Sequence, residues 1–233
     1  MALAPPAVRI PLPAPVALDL LQYAELLQPK LTWDKPKCPK LLQFRALVAV
    51  LVNYTFFCRG ECGVSMQTGD LAVHDETITL FLRKVKGRTA CTAAQLPLLQ
   101  IPVASLPRLA NLIATFSQGR QQLAAAGSFH LPEHFWALDP VEQGEQWTAA
   151  TLSDWLALSC ALVNHSPPPG FTWTSHSLRK GAASAANAIN VVLTKIRYMG
   201  GWAKDSNVVH DYIDPTMAPT PAALVFFGHL LPP

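Results

Sequence analysis

The chain of 233 residues is 50% hydrophobic and 14% charged, with a mean hydropathy of +0.22, which excludes a largely disordered polymer and allows one sizeable core. Its net charge of +3 is unevenly spread: residues 30 to 120 carry +7, 121 to 178 carry −5, and 179 to 204 carry +5. A protein that turns one face to phosphates and the other to solvent needs such an asymmetry, and ordinary solvated helix faces also produce it.

Residues 1 to 15 contain Pro5, Pro6, Pro11, Pro13 and Pro15 and read as an extended, mobile arm. They lack the continuous apolar core of a signal peptide, so an intracellular protein is expected, nuclear if the source is eukaryotic. VALDLLQYAELL (16 to 27) reads as an amphipathic helix and KLTWDKPKCPK (30 to 40) as a basic linker. The apolar run from 41 to 57 is long enough to suggest a membrane span, but Gln43, Arg45 and Asn53 interrupt it. Each is costly in hydrocarbon, so a helix buried in protein is expected. LAV (71 to 73) and TITLFLRKV (77 to 85) flank the polar turn HDE and predict an antiparallel hairpin. Ser105 and Pro107 open a helix running to about Ala126. Thr148 or Thr151 opens another that ends before Pro167. Three short helices follow, from about Ser177 to Ile189, from about Thr194 to Met199, and after Ser206 as far as Pro215. The expected fold class is mainly α with a small antiparallel β-sheet.

The five cysteines are an odd count and fit reduced thiols better than a disulfide framework. Cys58 and Cys62 have a C-x3-C spacing, and His130 and His134 an H-x3-H spacing. The gap between the pairs is too long for a zinc finger, and Pro132 breaks any helix aiming both histidines, so no metal is expected.

Four separated pieces carry the chemistry: FFCRGECG around Arg59, LRKVKGR around Lys86, HSLR at 176 to 179, and GGWAKDSNVVHDYID at 200 to 214. Together, and in this order, they resemble the catalytic domain of the tyrosine recombinases, the phage integrase family. The proline-rich, cysteine-containing style resembles recombinases of eukaryotic mobile elements more than bacterial ones. The resemblance covers about 41 to 214, with 1 to 40 as arm, short helix and linker and 215 to 233 as an apolar tail. It implies the catalytic core of a DNA breaking and rejoining enzyme, working through a 3′-phosphotyrosyl intermediate on double-stranded DNA without a cofactor. It also implies a tetrameric synapse in which the tail passes to a neighbouring protomer. Residues 222 to 231 are too apolar to be left in water, and packing on their own domain is the alternative. A catalytically silent DNA-binding module with the same ancestry is the competing functional expectation.

Within that resemblance Arg59 and Arg179 are expected to present planar forks to the non-bridging phosphate oxygens. His176, three residues before Arg179, is expected on the same side, to bond a phosphate oxygen or take the tyrosyl proton. Trp202 occupies a position where many relatives have a second histidine, and its indole can donate one hydrogen bond or pack the tyrosine. Tyr212 is the expected nucleophile, with Tyr198 ranked below it. Lys86 is expected to protonate the leaving hydroxyl, with Lys84 as the alternative. Arg83, Lys84, Arg88, Lys180 and Lys204 are expected to touch DNA. Two departures stand out. The acidic residue usual three positions after the first arginine is replaced by Cys62, with Glu61 one position early. Trp202 and Tyr212 are also one residue further apart than is frequent.

Overall fold

The computed structural model describes residues 8–82, 98–145, 147–203 and 206–232. Its centre is α2 (Pro39–Thr55), entered through a proline in its first turn and buried continuously from Phe44 to Thr55. A helix apolar on all sides must be covered on all sides. α1 (Ala14–Leu27), α4 (Pro107–Ala126), α5 (Ala149–Leu162) and α6 (Ser175–Ala188) all pack on α2. The polar interruptions are resolved by partners within the protein. Arg45 Nη1 donates to both carboxylate oxygens of Glu142, at 3.0 and 2.8 Å, while its guanidinium lies 5.2 Å from the ring centres of Trp147 and Trp155. Asn53 donates to the Ala49 carbonyl one turn back. Among the described residues no helix is long and apolar enough to cross a membrane.

The hairpin forms as β2 (Leu71–His74) and β3 (Thr77–Phe81), with Leu71 opposite Leu80. A third strand that the sequence did not suggest, β4 (Leu98–Pro102), adds to β3 with Phe81 opposite Leu98. Alternation puts Ile78, Leu80, Leu99 and Ile101 into the core. Ahead of this sheet, α3 (Gly60–Val64) follows α2 after a short turn. α4 starts at Pro107, but Leu106 precedes it with no side-chain cap, so Ser105 is not the capping residue. At the start of α5 the Thr148 N–H donates to Thr151 Oγ1, so the two candidate threonines act as one capping pair.

From Val8 onward the proline-rich arm is more ordered than expected. β1 (Val8–Arg9) pairs in parallel with β5 (Phe171–Thr172), and Leu12 is fully buried. The Leu12 N–H donates to the Ser177 carbonyl at 3.0 Å. A Cβ on Gly181 would lie 2.2 Å from the Leu12 carbonyl oxygen, so the glycine in HSLRKG is what lets the arm cross α6. α1 is also held from both sides: Arg108 and Glu25 make two bonds of 2.6 Å, and His165 lies 2.7 Å from Asp19.

The C-terminal tail packs on its own domain in this structure. Thr220 caps α8 (Pro221–Phe227), whose Phe226 and Phe227 are buried against Tyr54 and Phe57. Just beyond, both ring nitrogens of His229 are buried without a hydrogen-bond partner, and burial, assisted by the charge of Lys195, pulls its pKa from 6.5 down to about 4. A depressed imidazole contributes stability that is complete above its ordinary value of 6.5 and is lost as pH falls through about 4. Replacing His229 with Leu is therefore expected to stabilise the fold by about 1 kcal/mol at neutral pH. It should also flatten part of the acid limb, to which His134, likewise lowered to about 4 by burial, contributes as well. Urea unfolding followed across that pH range checks both effects.

Candidate active site

α3, α5 and α6 begin close together: a Cβ on Gly60 would lie 2.7 Å from Ser175 Oγ and 3.0 Å from the Ala149 Cβ. Beside this junction opens a cleft of about 600 Å³ whose lining includes Arg59, His176, Arg179 and Tyr212. Residues separated by most of the chain length are thus gathered around one space, and the positive ends of the α5 and α6 dipoles lie at its edge.

Arg59 is the residue before α3, in extended conformation, and is half-buried. Arg179 is only 3% exposed. Its Nη1 donates to the Phe57 carbonyl and its Nη2 to the Gly200 carbonyl, each at 2.6 Å, while Nε is buried without a partner. Two of the five guanidinium N–H bonds thus serve the fold. Burial, and next the charge of Arg59, push its pKa down to about 10, which still leaves it charged at neutral pH. Phe57 adopts φ 52°, a conformation that costs energy for a bulky residue, and its carbonyl is one of the two that hold the guanidinium.

The glycines of GGW explain how Trp202 is placed. Gly201 ends α7 (Leu193–Gly200) in the left-handed region at φ 62°. A Cβ on Gly200 would fall 1.8 Å from the indole ring, so only glycine admits the tryptophan there. The ring stacks on Arg179, whose Cζ is 3.7 Å from its centre, and meets Tyr212 edge-on at 5.2 Å. Its Nε1 is buried with no hydrogen-bond partner among the described residues, and its ring packs against the tyrosine.

Tyr212 closes a short helix after Ser206, as expected, in 3-10 form over Asn207–Tyr212. Ser184 fixes the main chain here: its hydroxyl accepts from the Asp214 N–H at 2.8 Å, and its one proton lies between the Lys180 carbonyl at 2.8 Å and the Tyr212 carbonyl at 3.2 Å. Its ring lies 4.8 Å from His176 and 5.2 Å from the Arg179 guanidinium. Tyr198 is not in the cleft lining; it is 65% exposed and its hydroxyl donates to the Leu98 carbonyl.

Burial lowers the pKa of His176, and the charges of Arg9, Arg179 and Lys180 lower it further. The imidazole is therefore neutral at pH 7 and able to accept a proton. For any reaction that uses it as a base, the acid limb of the rate profile is expected below the ordinary imidazole value of about 6.5. His176→Gln should remove that limb and slow the reaction by about a hundredfold.

Of the expected DNA contacts, Lys180 is half-buried beside the cleft. Lys86, the expected acid, and Arg83, Lys84, Arg88 and Lys204 lie outside the described residues. Both Glu61 and Cys62 line the cleft, and Cys58 is buried next to them with its thiol pKa raised by burial. Among the described residues no group of three or more His, Cys, Asp or Glu is arranged to hold a metal. Two contributors escaped sequence reasoning. Ser184 is an unremarked serine in an alanine-rich helix, and Arg9, which also lines the cleft, is the lone base of the proline-rich arm.

No protein-family model matches the chain, and no curated protein matches it. Solved structures do. The XerH site-specific recombinase bound to palindromic difH substrate, in a post-cleavage complex, superposes with a TM-score of 0.58 over 88% of this chain and 49% of that one, at 13% identity. The XerH pre-cleavage complex with difH gives 0.58, 88%, 50% and 14%. The chain thus spans about half the length of the recombinases it matches. Mainly helical, with a small antiparallel sheet, it has the fold of a tyrosine recombinase catalytic domain.

Proposed function

We propose that the chain cuts and rejoins DNA strands, with Tyr212 as nucleophile. The observation that carries this reading is the position of the Tyr212 ring, between His176 and Trp202 and facing Arg59 and Arg179 in one open cleft. In the proposed step the Tyr212 oxygen attacks phosphorus and its proton passes to His176. The bond to the 5′ oxygen breaks, and that oxygen takes a proton, for which Lys86 is the proposed donor. A 3′-phosphotyrosine and a free 5′ hydroxyl result, and attack by a 5′ hydroxyl reverses the step. Arg59 and Arg179 stabilise the charge that builds on the phosphorane oxygens, where preorganised donors act most strongly. The recombinases matched by fold are complexes with DNA substrates, and the same partner is proposed here, in a tetrameric synapse joined by exchange of the tail.

Two observations favour a silent DNA-binding module instead. Arg179 spends two N–H bonds on backbone carbonyls, and Cys62 stands where a carboxylate is usual. The test is trapping on a pool of nicked duplexes of random sequence. A protein–DNA adduct that survives detergent supports the enzyme and reveals its site by sequencing. Salt-sensitive binding with no adduct supports the module.

A further inference from the structure

We propose that Arg9 is a third guanidinium of the cleft, binding a phosphate oxygen of the DNA, and that the proline-rich strap ahead of α1 serves to deliver it. This rests on the reading of the cleft as a phosphodiester site. Arg9 lines the same cleft as Arg59, Arg179 and Tyr212 although it precedes them all in the chain. Its side chain is exposed, and among the described residues no carboxylate pairs with it.

A single exposed arginine on a loose arm would mean little, but this arm is fastened at successive points. Val8 donates to the Gly170 carbonyl at 3.2 Å, Ile10 to Thr172 at 3.4 Å and Leu12 to Ser177 at 3.0 Å. Leu12 is sealed into the core, and Gly181 leaves room for its backbone to cross α6. Pro11 and Pro13 frame Leu12, so the unfolded strap has less conformational freedom to lose on docking. The crossing point lies on the helix that carries His176 and Arg179, so the strap and the catalytic helix are held in register. After burial, the charge of Arg9 is the largest influence lowering the His176 imidazole, which agrees with its side chain facing the cleft.

Two measurements on the full chain test this. In the DNA-free protein, Arg9→Gln should raise the titration midpoint of His176 followed by NMR, because a cation that disfavoured the imidazolium is gone; an unchanged midpoint would mean the guanidinium is not held at the cleft. The second is binding to a short duplex of arbitrary sequence across a salt series. Arg9→Gln should weaken binding roughly tenfold and lower the slope of log K against log salt by about 0.9, one phosphate contact. Arg9→Lys should restore the slope. Gly181→Ala, which unseats the strap while leaving Arg9 intact, should reproduce the Arg9→Gln loss, and the double variant should be no worse. An unchanged slope in Arg9→Gln, with wild-type protein binding DNA, overturns the role of Arg9 and leaves the cleft reading standing. Wild-type protein with no salt-sensitive binding overturns both.

Discussion

Tyr212→Phe is expected to abolish the covalent protein–DNA adduct, a loss of more than about a thousandfold, while the protein folds and binds DNA as before. The substitution deletes one oxygen and keeps the ring, and the ring is what the fold uses: it packs against His176 at 4.8 Å and Trp202 at 5.2 Å. No hydrogen bond among the described residues anchors the hydroxyl, and Ser184 holds the main chain whatever the side chain is. Thermal unfolding within about 0.5 kcal/mol of wild type is therefore expected, as for a surface change. Tyr198→Phe is the matched control. That hydroxyl is bonded to the Leu98 carbonyl outside the cleft, so adduct formation should be unchanged. Detergent gels after incubation with the nicked duplex pool read both variants, and an adduct that persists in Tyr212→Phe and disappears in Tyr198→Phe would reverse the assignment.

The cleft was legible in the sequence where its parts have a local chemical reason, as Arg9 and Ser184 do not. His176 and Arg179 stand three apart at a helix start, so one face carries both. Gly200 and Gly201 are demanded by an indole lying on backbone and by a left-handed helix end, which makes GGW a geometric signal as well as a family one. The sheet was half legible. β2 and β3 announce themselves by β-branched residues around a polar turn, whereas β4 is five residues long and its Leu98 to Pro102 pattern carries no comparable turn. What the sequence hid are relations across space. Nothing local to Leu12 says that it will be buried under the helix holding Arg179, and prolines argue the opposite way. Nothing near Phe57 says that its carbonyl will meet a guanidinium from the far end of the chain. The tail was legible as something that must be covered. In this structure Tyr54 and Phe57 provide the cover, so the aromatic cluster at the end of α2 is continuous with the strut that seats Arg179.

Arg179→Ala is expected to damage both stability and catalysis, and the two effects can be separated. The guanidinium joins the end of α2 to the end of α7 through the Phe57 and Gly200 carbonyls and fills the space over the Trp202 ring. Removing it leaves two buried acceptors without donors and an uncovered indole, a loss of about 3 kcal/mol or more. The same change removes charge from the phosphate side, a further loss of a hundredfold or more in the rate of adduct formation. Arg179→Lys divides the roles. An ammonium keeps the charge but is a point donor on a flexible stem, unable to span two carbonyls and lie flat on an indole at once. If the residue acts on phosphate as well as on the fold, the lysine variant should unfold earlier in urea and also cleave slowly under conditions where it is fully folded. If its cleavage rate, measured on folded protein, equals that of wild type, the guanidinium is only a strut, and transition-state stabilisation must come from Arg59 and from other bases. A protein that forms no adduct in any of these forms, yet binds DNA in a salt-sensitive way, is the DNA-binding module; there the carbonyl-bound Arg179 and Cys62 in place of a carboxylate are what a site released from catalysis retains once its packing, and no longer its chemistry, is needed.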